Sequence, residues 1–442
     1  MFTRKELKRL IVPLIIEQLL NSMMGTVDTV MVARAGSAAI SAVSLVDSIN
    51  ILAILIFSAM ATGGAILASQ YLGKGMKDSA NHAGAQLLLA VSVLSLAVTV
   101  LCVVFHRALL RIVFGSVDAD VMASAQTYFL ITVLSYPLIA IYNAAAALFR
   151  SDGNSRLPMT ISTASNVINI GGNALLIFGF GLGVAGAAWS TFASRLFCAV
   201  MILVFLKKTN QAIGIKSYLK IRPDAPVMIK ILKICVPTGI ENGMFQFGKL
   251  AIQSTISTMG TAAIAANALT SMLEGLSGQA SIGIGLGMMT VVGQCIGAGD
   301  DKAAGEYIKR LTFAGWLALV VSSILVSISV QPLTVLSGME KDVAALAIEL
   351  TIFVHIIKPI TWVFSFLPAY GMRAAGDVRF SMAVSSITMW TCRVAVTIVL
   401  ARVFGFGPIA MWIGMAADWT LRSLCFIVRF KSGRWLSHRV LN

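Results

Sequence analysis

The side chains able to do chemistry in this chain are polar groups set inside long apolar runs. Asp28 lies two-thirds of the way along the first run, about residues 10 to 33. An ionised carboxylate at the centre of a membrane helix costs about 2.5–3.5 kcal/mol on insertion scales. Kept against that cost, it is expected to face a polar cavity, where it could exchange a proton or bind a cation with neighbouring oxygens. The alternative is a cap at the helix end beside Arg34. Asn166, Asn169 and Asn173 fall at spacings of three and four, so they can share one helix face. Amides so placed can also simply bond across to a neighbouring helix.

Glu17 and Glu241 each follow a proline, Pro13 and Pro237, by four residues, with Gln18 and Asn242 beside them. That symmetry points to a shared structural role near the inner ends of two helices, with a functional role as the alternative. Lys249, Glu274, Lys358, Arg393, Asp418 and Arg422 are ionisable groups within later apolar runs. Asp418 and Arg422 are one turn apart and are expected to neutralise each other. Lys249 has no acid one turn away, so Glu274 is its expected partner across helices. Asp47, Glu349 and His355 are read as structural or interfacial.

Enzyme signatures are missing: there is no metal-ligand helix, nucleophile elbow or phosphate loop after a strand. Gly73-Lys74-Gly75 and Gly297-Ala298-Gly299 follow apolar helices instead. The six cysteines stand singly, without metal-ligand spacing. The chain is therefore expected not to be an enzyme and to need no cofactor; the one metal considered is Na+ at Asp28.

The elements that must position these groups occur twice. Pro13, Glu17, Gly36, Gln70, Gly73 and Gly75 recur 224 residues later as Pro237, Glu241, Gly260, Gln294, Gly297 and Gly299. The echo continues, with small slips, through Pro137 and Pro359, Arg150 and Arg373, and Arg195 and Arg422. Such self-similarity marks two copies of one structural unit.

With 57% hydrophobic and 12% charged residues and a mean hydropathy of +0.86, the chain has more apolar surface than a soluble core could hide. A spanning helix needs about 20 apolar residues. Twelve segments fit: about 10–33, 45–69, 84–106, 122–147, 158–178, 185–206, 234–258, 267–293, 311–331, 344–369, 382–403 and 408–429. With the N-terminus inside, 24 Lys and Arg fall on the inner side and five outside, which places both termini in the cytoplasm. The same loop bias accounts for the net charge of +15 without a nucleic-acid partner. Six spans per copy enter the membrane in the same direction, so two lobes related about the membrane normal are expected around a central cavity. The boundaries are an N-lobe 1–206, a basic cytoplasmic linker 207–233 and a C-lobe 234–442.

The paired punctuation resembles the multidrug and toxic compound extrusion (MATE) family over essentially the whole chain. The resemblance rests on Pro13, Asp28 and Gly36, on Gln70-Tyr71-Leu72-Gly73 with Gly293-Gln294-Cys295-Ile296-Gly297, and on the Arg150–Asn154 and Arg373–Asp377 loops. It implies an all-α, twelve-helix exporter that exchanges H+ or Na+ for organic, often cationic, compounds. The N-lobe coupling set of the family would fall on Asp28, Asn169, Asn173 and Thr191, with Asn173 standing where the family has a second acid. Glu17, Glu241, Lys249 and Glu274 are secondary candidates. The acids of another branch would fall on Phe245 and Trp362, which favours the DinF-like (DNA-damage-inducible) branch. The expected protein is a monomer in the plasma (inner) membrane, with a small organic substrate and the lipid bilayer as partners. A flippase of lipid-linked precursors is the alternative, for which Lys249 and Arg393 argue.

Overall fold

The computed structural model describes residues 2–34, 36–115, 117–208, 212–218, 221–438 and 440–441, and its regular elements are all helical among these. Fifteen α-helices follow in order: α1 Arg4–Ala33, α2 Ser37–Gly73, α3 Lys77–Val104, α4 His106–Phe114, α5 Ala119–Leu134, α6 Tyr136–Ser151, α7 Arg156–Asn173, α8 Gly183–Lys208, α9 Ala225–Ile256, α10 Thr261–Gly297, α11 Asp301–Leu336, α12 Lys341–Ala375, α13 Val378–Thr388, α14 Val396–Arg402 and α15 Ile409–Lys431. Two segments are wound as π-helix, Ala174–Gly179 after α7 and Met389–Ala395 between α13 and α14.

Ten helical stretches among the described residues are long and apolar enough to cross a membrane, and an eleventh is the bent pair α5–α6. The expected seventh span is also a helix, α9, but Glu241, Asn242, Gln246, Lys249 and Gln253 keep it outside that set. Val93, Leu96, Val100 and Val104 form an exposed stripe along α3, and Phe313, Leu317, Val321, Ile324 and Ile328 form one along α11. Water would penalise such stripes, whereas lipid does not.

The helices outrun the expected spans. α1 begins at Arg4 because Thr3 and Glu6 close a capping box: the Glu6 amide donates to Thr3 Oγ at 3.2 Å, and the Thr3 amide donates to Glu6 Oε2 at 2.7 Å. Gly36 and Gly260, one repeat apart, cap α2 and α10 at φ +110° and +96°, where a side chain would be strained.

Of the repeat prolines, Pro137 breaks its span. α5 and α6 meet at 43° around Ser135, because Pro137 cannot donate to the Val133 carbonyl. The Thr99 hydroxyl of α3 donates to that carbonyl at 3.3 Å, and the Ser135 hydroxyl donates to the Thr132 carbonyl at 2.5 Å. Pro359, its repeat partner, lies inside the unbroken α12.

The chain divides into two compact units, Thr3–Gly239 and Ile240–Asn442 with Met1–Phe2. In the first unit, α2 packs on α3, α5 and α6, and α7 lies between α1 and α8. In the second, α10, α11 and α12 pack together, and α15 packs on α12 and on the π-helical segment. Of the expected linker, 209–211 and 219–220, with Lys220, lie outside the described residues, as does Arg439. Its ends are helical, and its described middle is tied to the first unit. Asn81 donates to the Ala212 carbonyl at 3.0 Å, Gln86 to the Arg222 carbonyl at 2.7 Å, and the Ala212 amide to Asp152 at 2.9 Å.

Candidate functional site

Each unit holds polar side chains clustered among its apolar helices. In the first, α1 carries Asp28, α7 ends at Asn173 and α8 supplies Thr191. Asn173 Nδ2 donates to Asp28 Oδ1 at 2.8 Å and lies 3.3 Å from Asn169 Oδ1, while Asn169 Nδ2 reaches Thr191 Oγ1 at 3.4 Å. Ser190 Oγ donates to the Asn169 carbonyl at 2.7 Å, fixing α8 against α7. Asn169 and Asn173 are buried, and Asn173 Oδ1 accepts no hydrogen bond. A carboxylate, two amides and a hydroxyl are thus linked across three helices, groups of the kind that can hold a proton or a small hard cation. Asn166 also faces α1, donating at 3.4 Å to Asn21, seven residues before Asp28.

The cluster is larger than the sequence suggested. Asp47, taken as structural or interfacial, lies within Coulombic range of Asp28. Asn50 Nδ2 at 3.1 Å and the Tyr128 hydroxyl at 3.4 Å both donate to Asp47 Oδ1, and the Tyr136 hydroxyl donates to Asn50 Oδ1 at 2.9 Å. Arg195 of α8 lies in the field of both carboxylates and donates through Nη1 to Ser135 Oγ, at the α5–α6 bend, at 2.8 Å. Arg195 was visible only as the repeat partner of Arg422, and no spacing links Asp47 to Asp28.

The second unit carries more charge. Lys358 Nζ lies 2.7 Å from Glu274 Oε1 and donates to Ser277 Oγ at 3.0 Å, and His355 Nε2 touches the same hydroxyl at 3.2 Å. Glu274 therefore belongs to Lys358, which corrects the expected Lys249–Glu274 pair, because α12 packs directly on α10. Lys249 instead sits over the Phe245 ring, 5.0 Å from its centroid, with Arg393 4.9 Å from the same centroid. Asp418 takes Arg422 at 2.7 Å, the local pair expected one turn apart, and also Arg393 at 3.1 Å. The Arg393 contact is poorly aligned for a hydrogen bond and is mainly Coulombic. Trp362 stacks on Phe366 at 4.8 Å, beneath Lys358 and Arg422.

Two pairs obey the repeat. Glu17 faces Arg150 at 3.7 Å, and one repeat later Glu241 faces Arg373 at 2.6 Å. The π-helical segments do not keep that register, although Asn173 leads into one and Arg393 lies inside the other. Such windings recur at functional sites, because the extra residue re-aims the side chains around it. Among the described residues no group of three or more His, Cys, Asp or Glu could hold a metal ion.

The chain is 28% identical over 96% of its length to an uncharacterized transporter, YisQ of Bacillus subtilis, of which 93% is covered. It is 26% identical over 99% of its length to the probable multidrug resistance protein NorM of Thermotoga maritima, of which 94% is covered. Its fold superposes on a mutant of the Vibrio cholerae MATE transporter VcmN with a TM-score of 0.88, at 17% identity, over 97% of this chain and 96% of that one. The MatE family profile matches twice, at residues 13–175 and 237–399, in register with the 224-residue repeat. The chain belongs to the MatE family of multidrug and toxic compound extrusion proteins, and is a membrane transporter rather than an enzyme.

Proposed function

We propose that the protein is a secondary active exporter that exchanges H+ or Na+ for organic, often cationic, compounds by alternating access, with Asp28, Asn169, Asn173 and Thr191 as its coupling site. The observation that carries this reading is the buried Asn173 amide, which donates through Nδ2 to the Asp28 carboxylate while its Oδ1 accepts no hydrogen bond. A cation arriving there gains an oxygen that no protein donor occupies, so occupancy has a physical reason to matter. Relatives named as probable multidrug resistance proteins support the substrate class. The Lys and Arg distribution supports cytoplasmic termini in a plasma (inner) membrane protein, and the aromatic Phe245 and Trp362 support N-lobe coupling of the DinF-like kind. We take the working form to be a monomer of two lobes joined by the 207–233 linker.

Magnitudes constrain the exchange. One charge crossing 100 mV releases about 2.3 kcal/mol, and tenfold accumulation costs about 1.4 kcal/mol. One proton exchanged for one monovalent cation is electroneutral and draws only on the pH gradient. Coupling requires ion and substrate to favour different states. The test is efflux of a fluorescent organic cation from proteoliposomes under a pH gradient and, separately, a sodium gradient. Transport driven by one gradient and lost in Asp28→Asn fits the proposal; transport in Asp28→Asn equal to wild type removes Asp28 from the coupling site.

A further inference from the structure

The second unit has a charge surplus that its own carboxylates do not meet. Lys249, Lys358, Arg393 and Arg422 are four cations sharing two acids, Glu274 and Asp418. Glu274 is held by Lys358, and Asp418 by Arg422 and Arg393 together. Among the described residues Lys249 has no carboxylate within ion-pairing distance, although it lies in the fields of Arg393 and Glu274, on two other elements. Arg393 is 2% exposed and shares the Asp418 carboxylate with Arg422. Two like charges against one ring, at membrane depth, repel each other unless an anion joins them.

The surroundings suit such an anion. Lys249 is exposed where Arg393 is buried, so the pair offers one accessible and one fixed donor. Phe245 lies between them as an apolar wall. Arg393 projects from the π-helical segment, where the local winding sets its direction. We propose that Lys249 and Arg393 bind the carboxylate of an amphipathic organic anion, whose apolar body rests on Phe245. The exporter reading supplies what the bound molecule is for, but not whether it binds.

The experiment uses three probes of one shape and different charge: 2-naphthoate, 2-naphthamide and (2-naphthyl)methylammonium. Binding to the full chain is measured by equilibrium dialysis in neutral detergent, without any gradient, so its outcome is separable from that of the efflux assay. Naphthoate should bind more tightly than the amide and the ammonium, and Lys249→Gln should weaken naphthoate alone by about tenfold or more. Lys249→Arg, whose guanidinium stays charged, should retain binding. Lys249→Gln also controls for the general attraction of anions to a basic protein. Naphthoate binding no tighter than that of the amide, or unchanged in Lys249→Gln at an unaltered unfolding temperature, overturns the proposal. Repeating the measurement in phosphatidylcholine bilayers with and without phosphatidylglycerol separates a lipid phosphate from a soluble carboxylate. Naphthoate lost only when the anionic lipid is present assigns the pair to the headgroup and overturns the proposal as stated.

Discussion

Asn173 donates a hydrogen bond to Asp28 across 2.8 Å, while its own side-chain oxygen, buried on α7, accepts none. The two residues sit 145 positions apart, and α7 packing on α1 is what joins them.

Replacing this amide by an acid should change the electrical character of transport. With one carboxylate, one-for-one exchange of monovalent cations moves no net charge. Asn173→Asp adds a second ion, so each turnover carries an extra charge worth about 2.3 kcal/mol per 100 mV. Efflux from vesicles clamped with valinomycin and potassium should respond to potential in Asn173→Asp and not in wild type. Equal responses would remove Asn173 from the ion path.

The repeat-related pairs differ in strength, and so should their variants. Glu241→Gln leaves Arg373 without its 2.6 Å partner and is expected to cost about 3 kcal/mol. Glu17→Gln, across 3.7 Å, should cost less. Thermal unfolding of the purified protein reads both, and an equal or reversed order would contradict the geometric argument.

Asp418 is fully buried between two guanidinium groups. Asp418→Asn strands two buried cations and should prevent recovery of monodisperse protein, at a cost of about 3–5 kcal/mol. Adding Arg393→Met, which removes one of those cations, should recover part of the yield. If the double variant is no better than the single one, the two arginines do not share that acid.

Outside the membrane, His82 touches Asp224 at 2.7 Å and the Asp224 amide donates to Gln86. The hydrogen bond from His82 holds the Asp224 carboxyl below its usual value. A lowered carboxylate favours the folded contact above the ordinary aspartate range of about 4, and that contribution disappears as pH falls through the lowered value. Protection of the 221–227 amides, taken relative to their intrinsic exchange rates, should therefore be high at neutral pH, fall in acid, and in His82→Ala be low at both. No pH response in wild type would count against the contact.

The sequence carries those parts of the fold that repeat. Pro13 with Pro237, Gly36 with Gly260, and the Arg150 and Arg373 loops share one period, and the period marks the units. Asp28, Asn169 and Asn173 were legible because polar residues are costly in an apolar run. Asp47 was not, because beyond Asn50, one turn along its own helix, its partners Tyr128 and Arg195 come from two other helices whose packing no local pattern encodes. Lys249 was assigned to Glu274 for the same reason. Sequence spacing fixes which face of a helix a residue occupies, whereas rotation against the neighbours decides whom it meets.

The break at Ser135 gives the first cluster a mechanical side. Pro137 opens the backbone ladder there, and Arg195, which sits in the field of Asp28 and Asp47, anchors the opened turn through the Ser135 hydroxyl. The guanidinium that balances the carboxylates is thus also the strut of the elbow.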